Sequence, residues 1–146
     1  MDALLQRVTQ ASVDVDGTRI AAIESGLLVF VGVFPQDTAS IAQSLADRTV
    51  DLRIFADAAK PMNRSVVDVG GEVLVVSQFT LAANTRKGRR PSFDSAAPRE
   101  QARSLYETFV ERVRHRLGAV ATGRFGADMQ VALINDGPVT FLLSSS

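Results

Sequence analysis

Hydrophobic residues change their spacing several times along this chain, and each change marks an element. Residues 3–16 read as extended and carry β-branched Val8, Val13 and Val15; Asp16-Gly17 is a strong hairpin signal into a second strand, Thr18–Ile23. Gly26 opens the run Leu27-Leu28-Val29-Phe30-Val31-Gly32-Val33, a short continuous apolar stretch of the kind a buried strand requires. Helical spacing follows: Asp37 or Thr38 can cap a helix to about Leu52, with Ile41, Leu45 and Leu52 on one face. Val66–Val69, Gly70-Gly71 and residues 72–81 predict a second hairpin. Pro98 opens a second helix, to about Leu117, striped by Tyr106, Phe109, Val110, Val113 and Leu117. Two last strands, about Met129–Asn135 and Val139–Leu143, flank Asp136-Gly137-Pro138.

These elements predict an α+β fold: a mainly antiparallel, barrel-like sheet with two substantial helices, in a single domain spanning residues 1–146. No internal repeat or low-complexity linker divides the chain. There is no Gly-x-Gly-x-x-Gly after a strand and no Walker lysine loop, so a βαβ nucleotide fold is not expected.

Composition narrows the chemistry. The 146 residues include no cysteine, no tryptophan and one histidine, with 46% apolar and 22% charged residues. A thiolate nucleophile, a disulfide framework, a zinc–thiolate site and a multi-histidine metal site within one chain are all excluded. No apolar run approaches the roughly 20 residues of a membrane span, and the N-terminus lacks a signal-peptide pattern; a cytoplasmic protein without membrane partners is expected. Sixteen basic residues balance sixteen acidic ones, yet residues 1–85 hold 6 basic and 10 acidic side chains and residues 86–146 hold 10 and 6. The excess begins at Arg86-Lys87-Gly88-Arg89-Arg90, and fourteen of the sixteen cations are arginine. Guanidinium forks suit bidentate phosphate binding, so an anionic partner is compatible with this half, as is a simple solvated face.

Most candidate chemistries have a structural explanation. His115 falls opposite the apolar stripe of its helix, with Glu111 four residues earlier as a surface partner. Asp14 and Asp16 flank Val15 at a turn, where turn formation and solvation account for both. Gly123-Arg124-Phe125-Gly126 has the spacing of a Gly-x-x-Gly nucleic-acid clamp, but two glycines also simply turn a chain, and Phe125 and Met129 fit a core. Ser77-Gln78-Phe79-Thr80-Leu81 is more informative. Continued alternation would put Gln78 and Thr80 on the face of Leu74 and Val76, where they either satisfy neighbouring backbone or face a ligand. Gly137-Pro138 interrupts two strands, as a plain turn or as a backbone presented closely to a ligand.

Taken together, these segments resemble the D-aminoacyl-tRNA deacylase family. Residues 77–81 and Asn135-Asp136-Gly137-Pro138-Val139-Thr140 match its two signature segments. Leu5-Gln6-Arg7-Val8 with Ala11-Ser12-Val13, Leu52-Arg53-Ile54-Phe55, the stretch 85–93 and the stretch 122–129 match as well, so the resemblance covers essentially the whole chain. Asn84 departs from it, standing where an aspartate is frequent, and residues 141–143 vary at the last strand.

The resemblance implies a homodimer with active sites at the subunit interface, acting on aminoacyl-tRNA without cofactor or metal. It implies hydrolysis of the ester joining a D-amino acid, or misattached glycine, to the 3′ end of tRNA. Gly137 and Pro138 would form a cis peptide that reaches into the partner's pocket, receives the substrate amino group through carbonyls and excludes an L side chain; Arg7 would steady it. Ser77, Gln78, Phe79 and Thr80 would line the ester. Two routes are implied there: Thr80 as nucleophile, or amides near Gln78 and Phe79 polarising the carbonyl while the ribose 2′-OH assists water. The sequence puts no base beside Thr80, which favours the second. Phe125 and Met129 would pack around the terminal adenine, and Arg86, Lys87, Arg89 and Arg90 would meet phosphates.

Overall fold

A computed structural model describes residues 1–145. The chain runs β1 (Asp2–Val15), β2 (Thr18–Ile23), β3 (Gly26–Gly32), α1 (Ala39–Asp51), α2 (Val66–Val69), β4 (Glu72–Ser77), a 3-10 turn (Phe79–Ala82), α3 (Arg99–Leu117), β5 (Ala121–Thr122) and β6 (Gln130–Ser144). β1 is the spine. Along one edge it pairs antiparallel with β6 over nearly its full length; its other edge is shared between β3, opposite residues 2–8, and β2, opposite residues 11–15. The sheet continues through β4 to β5 and is nearly closed.

The sheet is mainly antiparallel, as expected, through the three pairings made by β1, but it is mixed. β3–β4 and β4–β5 are both parallel pairs, joined by crossovers through α1 and α2 and through α3. Parallel neighbours cannot be joined by a tight turn, and helices covering one side leave such strands buried on both faces. That explains the unbroken apolar run of β3. Its odd residues Leu27, Val29 and Val31 join Val73, Val75, Leu45, Phe109 and Val113 in a core beneath the helices. Its even residue Leu28 joins Leu74, Val76, Val8 and Val13 in a second core on the opposite face.

The expected second hairpin does not form. Val66–Val69 is a one-turn helix, because Ser65 Oγ accepts from Asp68 N while Asp68 accepts from Ser65 N, and Gly70 ends it at φ 65°. The dipeptide Gly70-Gly71 therefore stops a helix and leads β4 to the parallel partner β3. Nor does β4 continue to Leu81; it ends at Ser77 and the chain tightens into the 3-10 turn. Gly32 makes this possible, since a Cβ there would stand 2.8 Å from Leu81 Cβ. The two expected C-terminal strands form one element, β6. Between the pairs Val8↔Asn135 and Gln6↔Thr140, however, residues 136–139 stand outside the ladder opposite Arg7 alone.

Thr38, rather than Asp37, caps α1, accepting from Ile41 N at 3.3 Å. Asp37 is buried instead with the Met1 ammonium, 2.7 Å away, and also accepts from Phe34 N. α1 and α3 are clamped outside the core by Arg112, which grips both oxygens of Asp47 at 2.8 and 3.1 Å, and by Arg116 on Asp47 and Asp51.

Candidate active site

Two separate places hold the signature residues. The first is a cavity of about 500 Å³ at the carboxyl end of β4, within the size range of small-ligand sites. Ser77, Gln78 and Phe79 form one wall; Phe125 and Met129, from the loop between β5 and β6, form another; Phe93 and Arg99 close in from the loop before α3 and from its first residue. Phe79 is 56% exposed and packs its ring against Phe93, with centroids 5.1 Å apart. Phe125 is held from behind by Tyr106, centroids 5.8 Å apart, and the Tyr106 hydroxyl donates to Val75 O at 3.0 Å. Burial pushes the Tyr106 phenol well above its ordinary range, so it remains a neutral donor. Gly123 lets this loop pass close to β4: its N–H donates to Val75 O at 3.0 Å, and a Cβ there would collide with Met129 Sδ.

The donors at the end of β4 differ from expectation in one respect. Gln78 N–H is already committed to Val31 O at 2.8 Å, so it cannot polarise an ester carbonyl. Phe79 and Thr80 supply the first amides of the 3-10 turn, and those amides have no acceptor within it. The available pair is therefore one residue further along. Thr80 itself is exposed, lies outside the cavity lining, and its hydroxyl receives a hydrogen bond from the Gln78 side chain. The alternation expected for Gln78 and Thr80 lapses because the strand has ended before them.

The second place is the corner 136–139. Here the Gly137–Pro138 peptide is cis, and both residues are exposed. The corner is anchored on every side. Arg7 donates from Nε to Asp136 O at 3.2 Å and from Nη1 to Ile54 O at 2.6 Å, while Asn135 Nδ2 bridges Arg7 O and Val139 O at 2.9 and 3.0 Å. Gly137 has φ 126°, and a Cβ there would meet Val139 Cγ2 at 2.7 Å and Arg7 Nη2 at 3.0 Å. Neither Gly137, Pro138 nor Arg7 lines the cavity at β4.

Arg86, Lys87, Arg89 and Arg90 are all exposed in a loop whose base is closed by the Asn84↔Ser92 bridge, with Asn84 Oδ1 accepting from Arg86 N at 3.0 Å. None of the four lines the cavity. His115 is exposed in the groove between α1 and α3, beside Gln43 and Glu107. Arg99, Phe93 and Asp128 line the cavity without having been singled out from spacing, since nothing in local sequence ties the start of α3 or the approach to β6 to the end of β4. Among the described residues, no group of three or more potential ligands is placed to hold a metal, and no helix is long and apolar enough to cross a membrane.

Comparison with known proteins agrees with the resemblance read from the sequence. The family described as D-Tyr-tRNA(Tyr) deacylase matches residues 4–144. The chain is 58% identical over 145 residues to a D-aminoacyl-tRNA deacylase of Syntrophotalea carbinolica, covering 99% of this chain and 97% of the relative. It is 55% identical to one of Pseudomonas aeruginosa, covering 99% and 100%. Among solved structures, the c-Myc DNA unwinding element binding protein superposes with a TM-score of 0.94 at 42% identity, covering 100% of this chain and 99% of that one. A probable eukaryotic D-amino acid tRNA deacylase shares the fold, with a TM-score of 0.85 at 18% identity. With its signature segments matched along the full chain, the protein belongs to the D-Tyr-tRNA(Tyr) deacylase family.

Proposed function

We propose that this protein, like the relatives it resembles, is a D-aminoacyl-tRNA deacylase: it hydrolyses the ester between a D-amino acid, or glycine, and the 3′-terminal ribose of tRNA. The observation that carries the reading is the cavity at the end of β4. It offers an unspent amide at Phe79, with that of Thr80 next to it just outside the lining, and its walls contain no histidine, lysine or cysteine. Such a site stabilises an oxyanion with main-chain dipoles, each donor contributing about 3–4 kcal/mol in acyl transfer. Water attacks the ester carbonyl, the C–O bond to the ribose breaks, and the proton lost by water goes to the departing 3′ oxygen, relayed by the neighbouring 2′-OH. Thr80 is not needed as a nucleophile.

Selectivity comes from the other place. Gly137 and Pro138, stiffened by Arg7 and Asn135, reach from a second copy of the chain into the cavity, bind the substrate amino group through carbonyls and leave no room for an L side chain. Two observations support division between copies: the corner is exposed and rigidly anchored, yet it stands apart from its own chain's cavity. Phe125 and Met129 hold the terminal adenine, and Arg86, Lys87, Arg89 and Arg90 meet phosphates of the acceptor arm. The chemical step as read uses only main-chain groups and the RNA itself, with no metal or cofactor, and the protein works in the cytoplasm.

The test is deacylation of matched D-, L- and glycyl-tRNA by catalytic amounts of protein, with mass measured in solution. D- and glycyl-tRNA should turn over many times, L-aminoacyl-tRNA should be spared, and the mass should be twice 15.7 kDa. Equal hydrolysis of both enantiomers would remove the chiral filter. Stoichiometric binding without turnover would leave a tRNA-end binding module in its place.

A further inference from the structure

We propose that Arg99 and Arg103 form a phosphate clamp at the α3 side of the cavity, holding a phosphodiester of the single-stranded acceptor end. This assignment rests on the deacylase reading.

Both guanidinium groups stand against the Phe125 ring, with Cζ 5.6 Å from its centroid for Arg99 and 5.8 Å for Arg103. Tyr106 supports the same ring from the core in a tilted contact, centroids 5.8 Å apart, so the contacts run from the buried helix face to the cavity. A Cβ on Gly126 would stand 2.5 Å from Arg99 Nη2, so the guanidinium also lies close against the loop backbone. A cation–π contact holds a guanidinium in place without using its N–H groups as hydrogen-bond donors. Arg99 makes no hydrogen bond or ion pair among the described residues, and it lines the cavity. Arg103 has only an exposed pair with Glu107 at 3.4 Å, one turn along the helix, which a doubly shared anion can outcompete.

The chemistry of the substrate selects the ligand. In an aminoacyl ester the α-carboxyl is esterified and the free amino group is cationic, so, acidic side chains aside, two guanidinium groups repel the amino acid end. Phosphodiesters are the only anions that the substrate brings near the site. Arg99 and Arg103 therefore orient the chain so that the ester lies toward Ser77–Phe79 and the backbone toward α3. They act as positioning residues and do not touch the reacting carbonyl.

The experiment compares the parent with R99M/R103M, which keeps the alkyl packing on Phe125, and with R99K/R103K, which keeps the charge. On D-aminoacyl-tRNA the methionine variant should raise KM at least ten-fold with a much smaller change in kcat. Its plot of log(kcat/KM) against log[salt] should flatten by about 0.7, the value for one neutralised phosphate of a single strand. The lysine variant should recover most of the salt slope but only part of the affinity. With the 3′ ester of adenosine, which has no phosphate, the methionine variant should lose at least ten-fold less than it loses with tRNA. Equal losses on both substrates, or an unchanged salt slope, would overturn the clamp and leave the arginines as packing for Phe125. If the double variant does not fold, R99M and R103M alone carry the same comparison, each with half the slope change. A parent that turns over neither substrate instead refutes the deacylase reading.

Discussion

The cavity at the end of β4 and the corner at residues 136–139 solve opposite problems with the same material. The cavity is a concave space with aromatic walls and an unspent amide, built from segments that are far apart in sequence. The corner is convex and solvent-facing, and almost every polar group around it is spent on holding it still: Arg7 on Asp136 and Ile54, Asn135 on Arg7 and Val139. One has room and donors but nothing to discriminate with. The other has rigidity, with Gly137 and Pro138 turned to solvent. On the proposed reading the difference matters because neither is a site alone: shape selection falls to the stiff part and chemistry to the open one.

The comparison is broken most severely at Gly137. Its φ of 126° strains any residue with a side chain, and a Cβ would meet Val139 and Arg7. G137A should lose about 1–3 kcal/mol of stability by denaturant unfolding, and D-aminoacyl-tRNA turnover should fall about 100-fold as the corner shifts. Arg7→Met comes next. It withdraws donors from Asp136 O and from Ile54 O, which belongs to a buried residue, at a cost of about 1–3 kcal/mol. Its signature should be a D-to-L rate ratio reduced about ten-fold, since a mobile corner filters badly. A ratio identical to the parent's would detach the corner from selectivity.

On the cavity side the expected change is small. Thr80 is exposed and outside the lining, and the amide it supplies survives substitution. Thr80→Ala should fold and keep its rate within about three-fold, whereas a required nucleophile would cost several powers of ten. Complete loss with intact tRNA binding would restore the hydroxyl to the mechanism.

The two regions also differ in how far they could be read from sequence. The corner is legible because its parts are local or carried in one segment: Asn135 to Thr140 hold both the turn and one of its anchors. The cavity is not, because its walls meet only through tertiary structure. Periodicity identified the strand before Ser77 but could not say that Gln78 N–H would be spent on Val31, a pairing set by the parallel neighbour β3. Parallel order itself is invisible locally. The double glycine at 70–71 fits a hairpin as well as a helix stop, and the Ser65–Asp68 capping box decides between them. Arg99 reads as one more surface cation until α3 docks and brings it against Phe125.

The smallest effect separates both regions from the frame that carries them. The carboxylates held below the usual range are Asp47, Asp57 and Asp68, and none of them lines the cavity. Asp47 is lowered chiefly by its hydrogen bond from Arg112, with Arg116 adding to it and burial opposing. A carboxylate depressed on folding contributes stability above its unfolded pKa, near 4, and that contribution fades as pH falls through the folded value. Its side chain is 31% exposed, so solvent screening limits the pair to under about 1 kcal/mol. Asp47→Asn should therefore lower the melting temperature slightly at pH 7 and converge with the parent near pH 2. Deacylation at neutral pH should not change, because the clamp joins α1 to the C-terminal half of α3, more than three turns along the helix from Arg99, and none of its residues lines the cavity. A drop in turnover without loss of fold would mean that the position of α3, and with it Arg99 and Phe125, depends on this clamp.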